Sequence, residues 1–507
     1  MAEVSDSPAA PSADSASDKL RSKTLSAVGW NTIGSVGSRV VSLVVFMILT
    51  RLLDPHALGL LSLGQIVIAF VQAYATQGFA DALIQRDKVE RAHLDTAFWL
   101  NLGVGLALTA GVMLSADTIA EICQEPELSP IVWWLSLSFV LYGISSIQRT
   151  MMVRNLDFTV PSLIMLGSDV LGGAVGICLA LSGYGVWSLV WQFLSTRIAQ
   201  SVLFAIWTPW WPSFQVSASA AQDLYWFGFK ILGVRTIEFF NQRLPDILVK
   251  AFFGTEALGL YSVASRLLFT MSQSISSILA PVAFAASSRL QNDAERVGRG
   301  FYTGSELVSV LTAPVFMGLA LVAPTALPFL FGPKWDASVP VAQWLTITAM
   351  VQATTIDLCG NVLMGMGKPT RTIVLSVLLC TLQLLAILLV ASLGGTLVHV
   401  ALASGVAALV SVPVCFALMG QSVEVSLGAY LRRLSGPLWA ALAMAPVVLL
   451  VRWLVEGELP QSLAVGLPIL AGGVVYGLAL SLIRPDLARQ ILGLAGKLVG
   501  RSRLSTP

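Results

Sequence analysis

Apolar runs of about 20 residues recur from Ala27 almost to Ile483, separated by short polar joints. A helix of that length crosses the hydrocarbon core of a bilayer, because each residue adds about 1.5 Å. The spacing predicts fourteen spans, near residues 27–50, 57–80, 96–116, 130–152, 161–182, 186–207, 222–248, 257–285, 302–323, 339–363, 370–391, 396–419, 435–454 and 462–483. Within lipid each backbone N–H and C=O must be satisfied inside the protein, which leaves helices and closed barrels. Barrel strands alternate in polarity and are about half as long, so a barrel is excluded. The expected fold class is all-α, a polytopic membrane protein of about 14 transmembrane helices.

Charge placement predicts the orientation. Lys and Arg crowd the termini and the even-numbered loops: Lys19 to Lys23, Arg86 to Arg91, Arg149 and Arg154, Arg289 to Arg299, Lys368 and Arg371, Arg432 and Arg433, and Arg484 onward. Only Arg51, Lys250, Lys334 and Arg452 fall on the opposite side. By the positive-inside rule both termini are cytoplasmic. Residues 1–18, rich in Ser, Ala, Pro and acids, read as a disordered cytoplasmic tail, and residues 491–507 as a second tail. The first apolar run is too long for a cleaved signal peptide and reads as the first anchor.

The chain also repeats itself. Ala57-Leu58-Gly59-Leu60 and Ser62, at the start of span two, recur as Ala257-Leu258-Gly259-Leu260 and Ser262 at the start of span eight. Gly183-Tyr184-Gly185-Val186, between spans five and six, is echoed by Gly394-Gly395-Thr396-Leu397 between spans eleven and twelve. The repeat divides the chain into an N-lobe of spans 1–6 (19–221) and a C-lobe of spans 7–12 (222–420), followed by additional spans 13–14 (421–490). Six being even, the lobes are parallel, an arrangement that puts a substrate cavity between repeats near the midplane.

Span seven carries an anomalous charge density. Charged residues make up only 11% of the chain, against about 25% in soluble domains. Yet Asp223, Lys230, Arg235, Glu238, Arg243, Asp246 and Lys250 fall within one short stretch. At 100° per residue Asp223, Lys230, Arg235, Glu238, Asn241, Gln242 and Asp246 share one broad face, with Arg243 at its margin. A base at mid-bilayer costs about 2.5–3.5 kcal/mol on the insertion scale, so this face must line protein or water. One reading is internal pairing, for which Arg235 and Glu238 have the i,i+3 spacing. The other is a cationic cavity for an anionic group, with Arg39 of span one and Arg266 of span eight as further bases; forked guanidinium donors suit phosphate oxygens. Arg197 in span six is a weaker member, since it has the alternative of snorkelling to the cytoplasmic side. Asp169 in span five and Asp357 in span ten are candidates for a coupling group, with polar helix packing as the alternative for each.

Other chemistry finds little support. His56, His93 and His399 lie far apart at loops or span ends, and the five cysteines form neither a metal spacing nor a disulfide framework. No nucleotide-binding loop is present, and no cofactor, catalytic residue, metal or nucleic-acid partner is expected.

The stretch Asn241-Gln242-Arg243-Leu244-Pro245-Asp246, continuing through Gly254 and Leu258-Gly259-Leu260-Tyr261 to Arg266, resembles the central motif of bacterial polysaccharide transporters. Phe331-Gly332-Pro333-Lys334-Trp335, Gly365-Met366-Gly367-Lys368-Pro369, and Arg51-Leu52-Leu53-Asp54-Pro55 followed by Gly59 are similar to segments of the same family. The resemblance implies the multidrug/oligosaccharidyl-lipid/polysaccharide exporter fold, two six-helix lobes with optional extra helices. It also implies translocation of an undecaprenyl-diphosphate-linked oligosaccharide across the bacterial inner membrane, for exopolysaccharide, capsule or O-antigen assembly. The expected partners are that lipid, the bilayer, and polymerase or export machinery. In this reading Arg39, Lys230, Arg235, Arg243 and Arg266 attract the diphosphate, while Glu238, Asn241, Gln242 and Asp246 orient those bases or contact sugar. The alternatives are a cation-coupled drug or small-molecule exporter of the same fold, and a membrane glycan polymerase or ligase. The last would need a large outer loop, and residues 117–129 and 324–338 are short.

Overall fold

The computed structural model describes residues 13–75, 83, 90–154, 157–214, 218–290 and 293–489, without the side chains of 13–28, 30–33, 74–75, 218–234 and 276–286. Residues 1–12 and 490–507, which carry most of the two expected tails, lie outside the described residues. The helices are α1 Ala13–Leu52, α2 Pro55–Ala75, α3 Arg91–Cys123, α4 Leu128–Arg154, α5 Thr159–Leu181, α6 Val186–Trp207, α7 Ala218–Arg289 and α8 Ala294–Phe331. A 3-10 turn, Pro333–Trp335, leads to α9 Ser338–Val351, a π-helical turn Gln352–Ile356 and α10 Asp357–Gly365. The chain then continues through α11 Pro369–Ser392, α12 Leu397–Gly420, α13 Leu427–Val455 and α14 Gln461–Ile483. Helix α1 starts at Ala13, inside the stretch expected to be a tail.

Among the described residues 13 helical stretches are long and apolar enough to cross a membrane. One of them belongs to the 72-residue helix α7. At 1.5 Å per residue α7 would extend about 108 Å, more than three hydrocarbon cores, if it were straight. It breaks at Gly254, whose φ of 87° lies in the region that glycine alone enters without strain. Its two arms match the spans expected at 222–248 and 257–285, so the chain is an all-α, multi-pass membrane protein with about 14 spans.

The chain folds as two units, one formed by residues 1–49 and 67–233, the other by 50–66 and 234–507. In the first, α3 packs on α4, α5 on α6, and α4 on α6. Leu128, Ile131, Val132, Leu135 and Phe139 of α4 supply much of its buried surface. In the second, Phe301, Phe416 and Tyr430 build an aromatic core, with the Phe416 and Tyr430 ring centroids 4.9 Å apart. Helices α13 and α14 pack on each other and on α8. Glu306 of α8, almost completely buried, accepts hydrogen bonds from Arg433 Nη1 at 3.3 Å and from Arg484, which tie it to the start of α13 and the end of α14.

Two of the sequence motifs acquire a structural meaning within the second unit. Ser62 and Ser262 Oγ atoms lie 2.8 Å apart, so the two copies of the Ala-Leu-Gly-Leu-x-Ser repeat pack directly on each other. A Cβ at Gly59 would meet Thr255 O at 2.0 Å, and a Cβ at Gly259 would meet Pro55 O at 1.9 Å. Those partners are themselves 200 positions apart, so the crossing has local two-fold pseudosymmetry. The second motif forms a reciprocal cap. Lys334 Nζ donates to Arg51 O at 3.0 Å and Trp335 Nε1 to Thr50 O at 3.0 Å, satisfying the last carbonyls of α1. Arg51 in turn donates to Leu330 O at 3.0 Å and to Phe329 O at the end of α8. Burial lowers the Lys334 pKa, and the Asp54 carboxylate opposes that shift. Trp335 is fully buried. A Trp335→Phe variant, which removes the indole donor to Thr50 O, should lose about 0.5–1.5 kcal/mol, the net worth of one hydrogen bond. Thermal unfolding in detergent measures this, and an unchanged midpoint would contradict the cap.

Candidate functional site

The first arm of α7 carries alternating acids and bases at helical spacing. Arg235 Nη1 lies 3.0 Å from Glu238 Oε2, and both side chains are about half exposed. Arg243 Nη1 lies 3.2 Å from Asp246 Oδ2, with Asp246 the more buried partner. The i,i+3 pairing read from the sequence for Arg235 and Glu238 is therefore present. The turn at Gly254 folds the second arm back, bringing Arg266 within electrostatic reach of Arg243 and Tyr261 within reach of Asp246. Lining up 243 with 266 and 246 with 261 is what two antiparallel arms joined near residue 254 require.

Beside this helix lies a cavity of about 460 Å³, walled by α7, the α9 to α10 segment, α11 and α12. Its polar lining includes Glu238, Asn241, Gln352, Asp357, Asn361 and Ser376. The π-helical turn Gln352–Ile356 immediately precedes Asp357; such turns insert one extra residue, often at functional positions. Asn361 Nδ2 donates to Asp357 O at 2.8 Å, so its side chain lies back along the helix that bears the carboxylate.

The expected site residues thus fall into separate groups. Glu238, Asn241 and Asp357 share the cavity. Arg243, Asp246 and Arg266 cluster across the two arms of α7, outside the cavity lining, and Gln242 and Arg235 also lie outside that lining. Arg39 is half-buried on α1 in the first unit. The Lys230 side chain lies outside the described residues. Asp169 of α5 accepts a hydrogen bond from Ser38 of α1 and sits within electrostatic reach of Arg197. Arg197 donates to Gln200 Oε1 at 3.2 Å and lies 5.3 Å from the centre of the Phe193 ring, so it has partners inside the first unit.

Gln352, Asn361, Thr348 and Thr372 were not anticipated at the cavity. A signal for three of them exists in the sequence: Thr348, Gln352, Asp357 and Asn361 recur at four- or five-residue steps, the spacing of one helical face, in a span whose other polar residues include Thr346, Thr354 and Thr355. The fourth, on α11, has no comparable signal.

The family model for polysaccharide biosynthesis proteins matches residues 48–340, more than half of the chain. The chain belongs to the polysaccharide biosynthesis protein family. The motifs at 51–59, 241–266 and 331–335 lie within the matched stretch, and 365–369 lies beyond it. The lipopolysaccharide biosynthesis protein WzxC of Escherichia coli K12 is 27% identical over 340 residues, covering 66% of this chain and 68% of that protein. The succinoglycan biosynthesis transport protein ExoT of Rhizobium meliloti is 27% identical over 322 residues, covering 63% of this chain and 65% of that protein. That relative is named as a transport protein. The fold is that of the lipid II flippase MurJ in an inward closed conformation, with a TM-score of 0.72, 13% identity, and coverage of 90% of this chain and 99% of that one.

Proposed function

We propose that this member of the polysaccharide biosynthesis protein family moves an undecaprenyl-diphosphate-linked oligosaccharide across the bacterial cytoplasmic membrane. The observation that carries the reading is the family match over a helix whose paired and clustered ions, Arg235 to Arg266, adjoin a polar cavity inside an apolar chain. Arg39, Lys230, Arg235, Arg243 and Arg266 attract the diphosphate, and Glu238, Asn241, Gln242 and Asp246 hold those bases or meet the glycan. The polyprenyl tail stays in lipid. The lobes, residues 19–221 and 222–420, then alternate between openings to the two sides, with both termini in the cytoplasm. Asp357, and Asp169 in the first unit, are the proposed coupling groups. The product feeds exopolysaccharide, capsule or O-antigen assembly, with a polymerase downstream.

The test is polymer export in a deletion strain complemented with single variants. Arg235→Ala and Arg39→Ala should each reduce export to background while the protein is inserted at normal level, with the lipid-linked unit stranded on the inner leaflet. Normal polymer yield from both variants removes the cationic role. Polymer-length defects with normal translocation would favour a polymerase or ligase. A cation-coupled exporter of small molecules is favoured by one observation, the carboxylates Glu238 and Asp357 on the cavity wall. Efflux of a fluorescent cation that depends on Asp357 would establish it.

A further inference from the structure

The segment Gly365-Met366-Gly367-Lys368-Pro369 makes the turn between α10 and α11, and its residues dictate how. Gly367, at φ 69°, takes the left-handed position that closes α10. Its N–H donates to Met364 O at 3.0 Å, and the Lys368 N–H donates to Leu363 O at 2.9 Å, the pair of bonds that ends a helix on glycine. Pro369, which has no N–H to leave unsatisfied, opens α11. Lys368 therefore caps α11, and Arg371 stands in its first turn.

These two bases converge. Lys368 Nζ donates to Ser422 Oγ at 2.6 Å, while Arg371 Nη1 donates to the same hydroxyl and, at 3.2 Å, to Leu418 O. Both side chains are half-buried, and these partners, all they have among the described residues, are neutral. The end of α12 offers them about half a negative charge, but the start of α11 sets about half a positive charge beside it, so nearly the whole of both charges remains unanswered. An anion between them would turn the repulsion of like charges into attraction. Arg235 and Arg243 on α7, by contrast, already have carboxylates at 3.0 and 3.2 Å.

We propose that Lys368 and Arg371 form a docking site for the lipid diphosphate, at the end of the α11 span and apart from the bases of α7. This rests on the transport reading above and adds where the headgroup is held at the membrane edge. A diphosphate diester carries one charge on each phosphorus and so matches a pair of bases, whereas the phosphodiester of an ordinary phospholipid leaves one base unanswered. Forked guanidinium and compact ammonium both suit phosphate oxygens. The lipid tail has a surface to follow: at 100° per residue Val374, Leu385 and Leu389 lie within about 60° of Arg371 around α11. All three are well exposed on a helix long and apolar enough to cross the membrane. The glycan end has the cavity to turn to, because Pro369 and Thr372, the immediate neighbours of the two bases, line it.

The experiment measures binding to the full chain, in phosphatidylcholine nanodiscs, of two lipids: undecaprenol joined to glucose through a diphosphate, or through a monophosphate. The wild-type protein should bind the diphosphate lipid about 10-fold more tightly than the monophosphate one. Lys368→Gln/Arg371→Gln should weaken binding of the diphosphate lipid about 10-fold and remove most of that preference. Lys368→Arg, which keeps the charge, should bind as wild type does. A double variant with wild-type affinity overturns the docking site and leaves the transport reading standing. Wild-type protein that binds neither lipid overturns the transport reading itself. Replacing part of the phosphatidylcholine by phosphatidylglycerol should leave the difference between wild type and variant in place; its loss would make the site one for ordinary phospholipid headgroups and overturn the proposal. Inorganic pyrophosphate that displaces the lipid at equal concentration would overturn it as well, by making the tail surface irrelevant. Arg371 also bonds to the end of α12, so should the double variant fail to fold, Lys368→Gln alone replaces it, with an expected loss of about 3-fold.

Discussion

A Gly59→Ala/Gly259→Ala double variant is expected to lose much of its thermal stability, although it adds only two methyl groups. Each Cβ would point at backbone, which cannot rotate away: Thr255 O at 2.0 Å from position 59, and Pro55 O at 1.9 Å from position 259. The α2 and α7 helices must therefore separate. Overpacking of this kind costs about 1–3 kcal/mol per site and sometimes more. Separation also stretches the 2.8 Å contact between Ser62 and Ser262. Because both glycines serve one crossing, the second substitution should cost less than the first, and the pair should be sub-additive. Ser62→Ala, which leaves the helices in place, should lower the midpoint by far less. Thermal unfolding in detergent, followed by tryptophan fluorescence, reads wild type, the two single glycine variants, the double variant and Ser62→Ala. A double variant that melts with wild type would show that the helices do not cross this closely.

How much of this could be read beforehand differs from residue to residue. The spans follow from composition along single helices, and even the break in α7 has a local sign, Gly254 between two stretches each long enough for a span. The Arg235–Glu238 pair is equally local, one turn apart on one helix. The repeat was visible as a match between two segments. That the copies touch was not, because identity of sequence says nothing about which surfaces meet. The cavity shares that limit: Glu238 and Asp357 lie more than a hundred residues apart, and only packing puts them around one cavity. The π-helical turn before Asp357 has no sequence mark in Gln352-Ala353-Thr354-Thr355-Ile356, since one extra residue per turn is a tertiary compromise. The bases read as a single cationic face divide in the structure, because Asp246 and Glu238 answer two of them at close range.

Glu306 is the clearest residue that the reading along single helices passed over, and its removal carries the other large expected effect. It lies within the span expected at 302–323 and is only 5% exposed, yet its partners Arg433 and Arg484 lie 127 and 178 residues away. Glu306→Ala leaves Arg433 and Arg484, 42% and 37% exposed, facing each other without their shared carboxylate, so solvent screening cuts the cost below the about 3–5 kcal/mol of breaking a fully buried pair. Glu306→Gln keeps the shape and some hydrogen bonding and should lie between alanine and wild type. Arg484→Ala should cost less than either, because Arg433 still answers the carboxylate. Thermal midpoints supply the order, and limited proteolysis of the α13–α14 region shows where the loss is felt. That region is held to α8 by apolar clusters as well, around Ala440, Ala441 and Met444 and around Val448 and Val465. Replacing the whole triad, Glu306→Met with Arg433→Leu and Arg484→Leu, should therefore recover most of the stability, since well-packed apolar groups often match a buried ion cluster. A Glu306→Ala protein as stable as wild type would show that these arginines do not depend on the carboxylate.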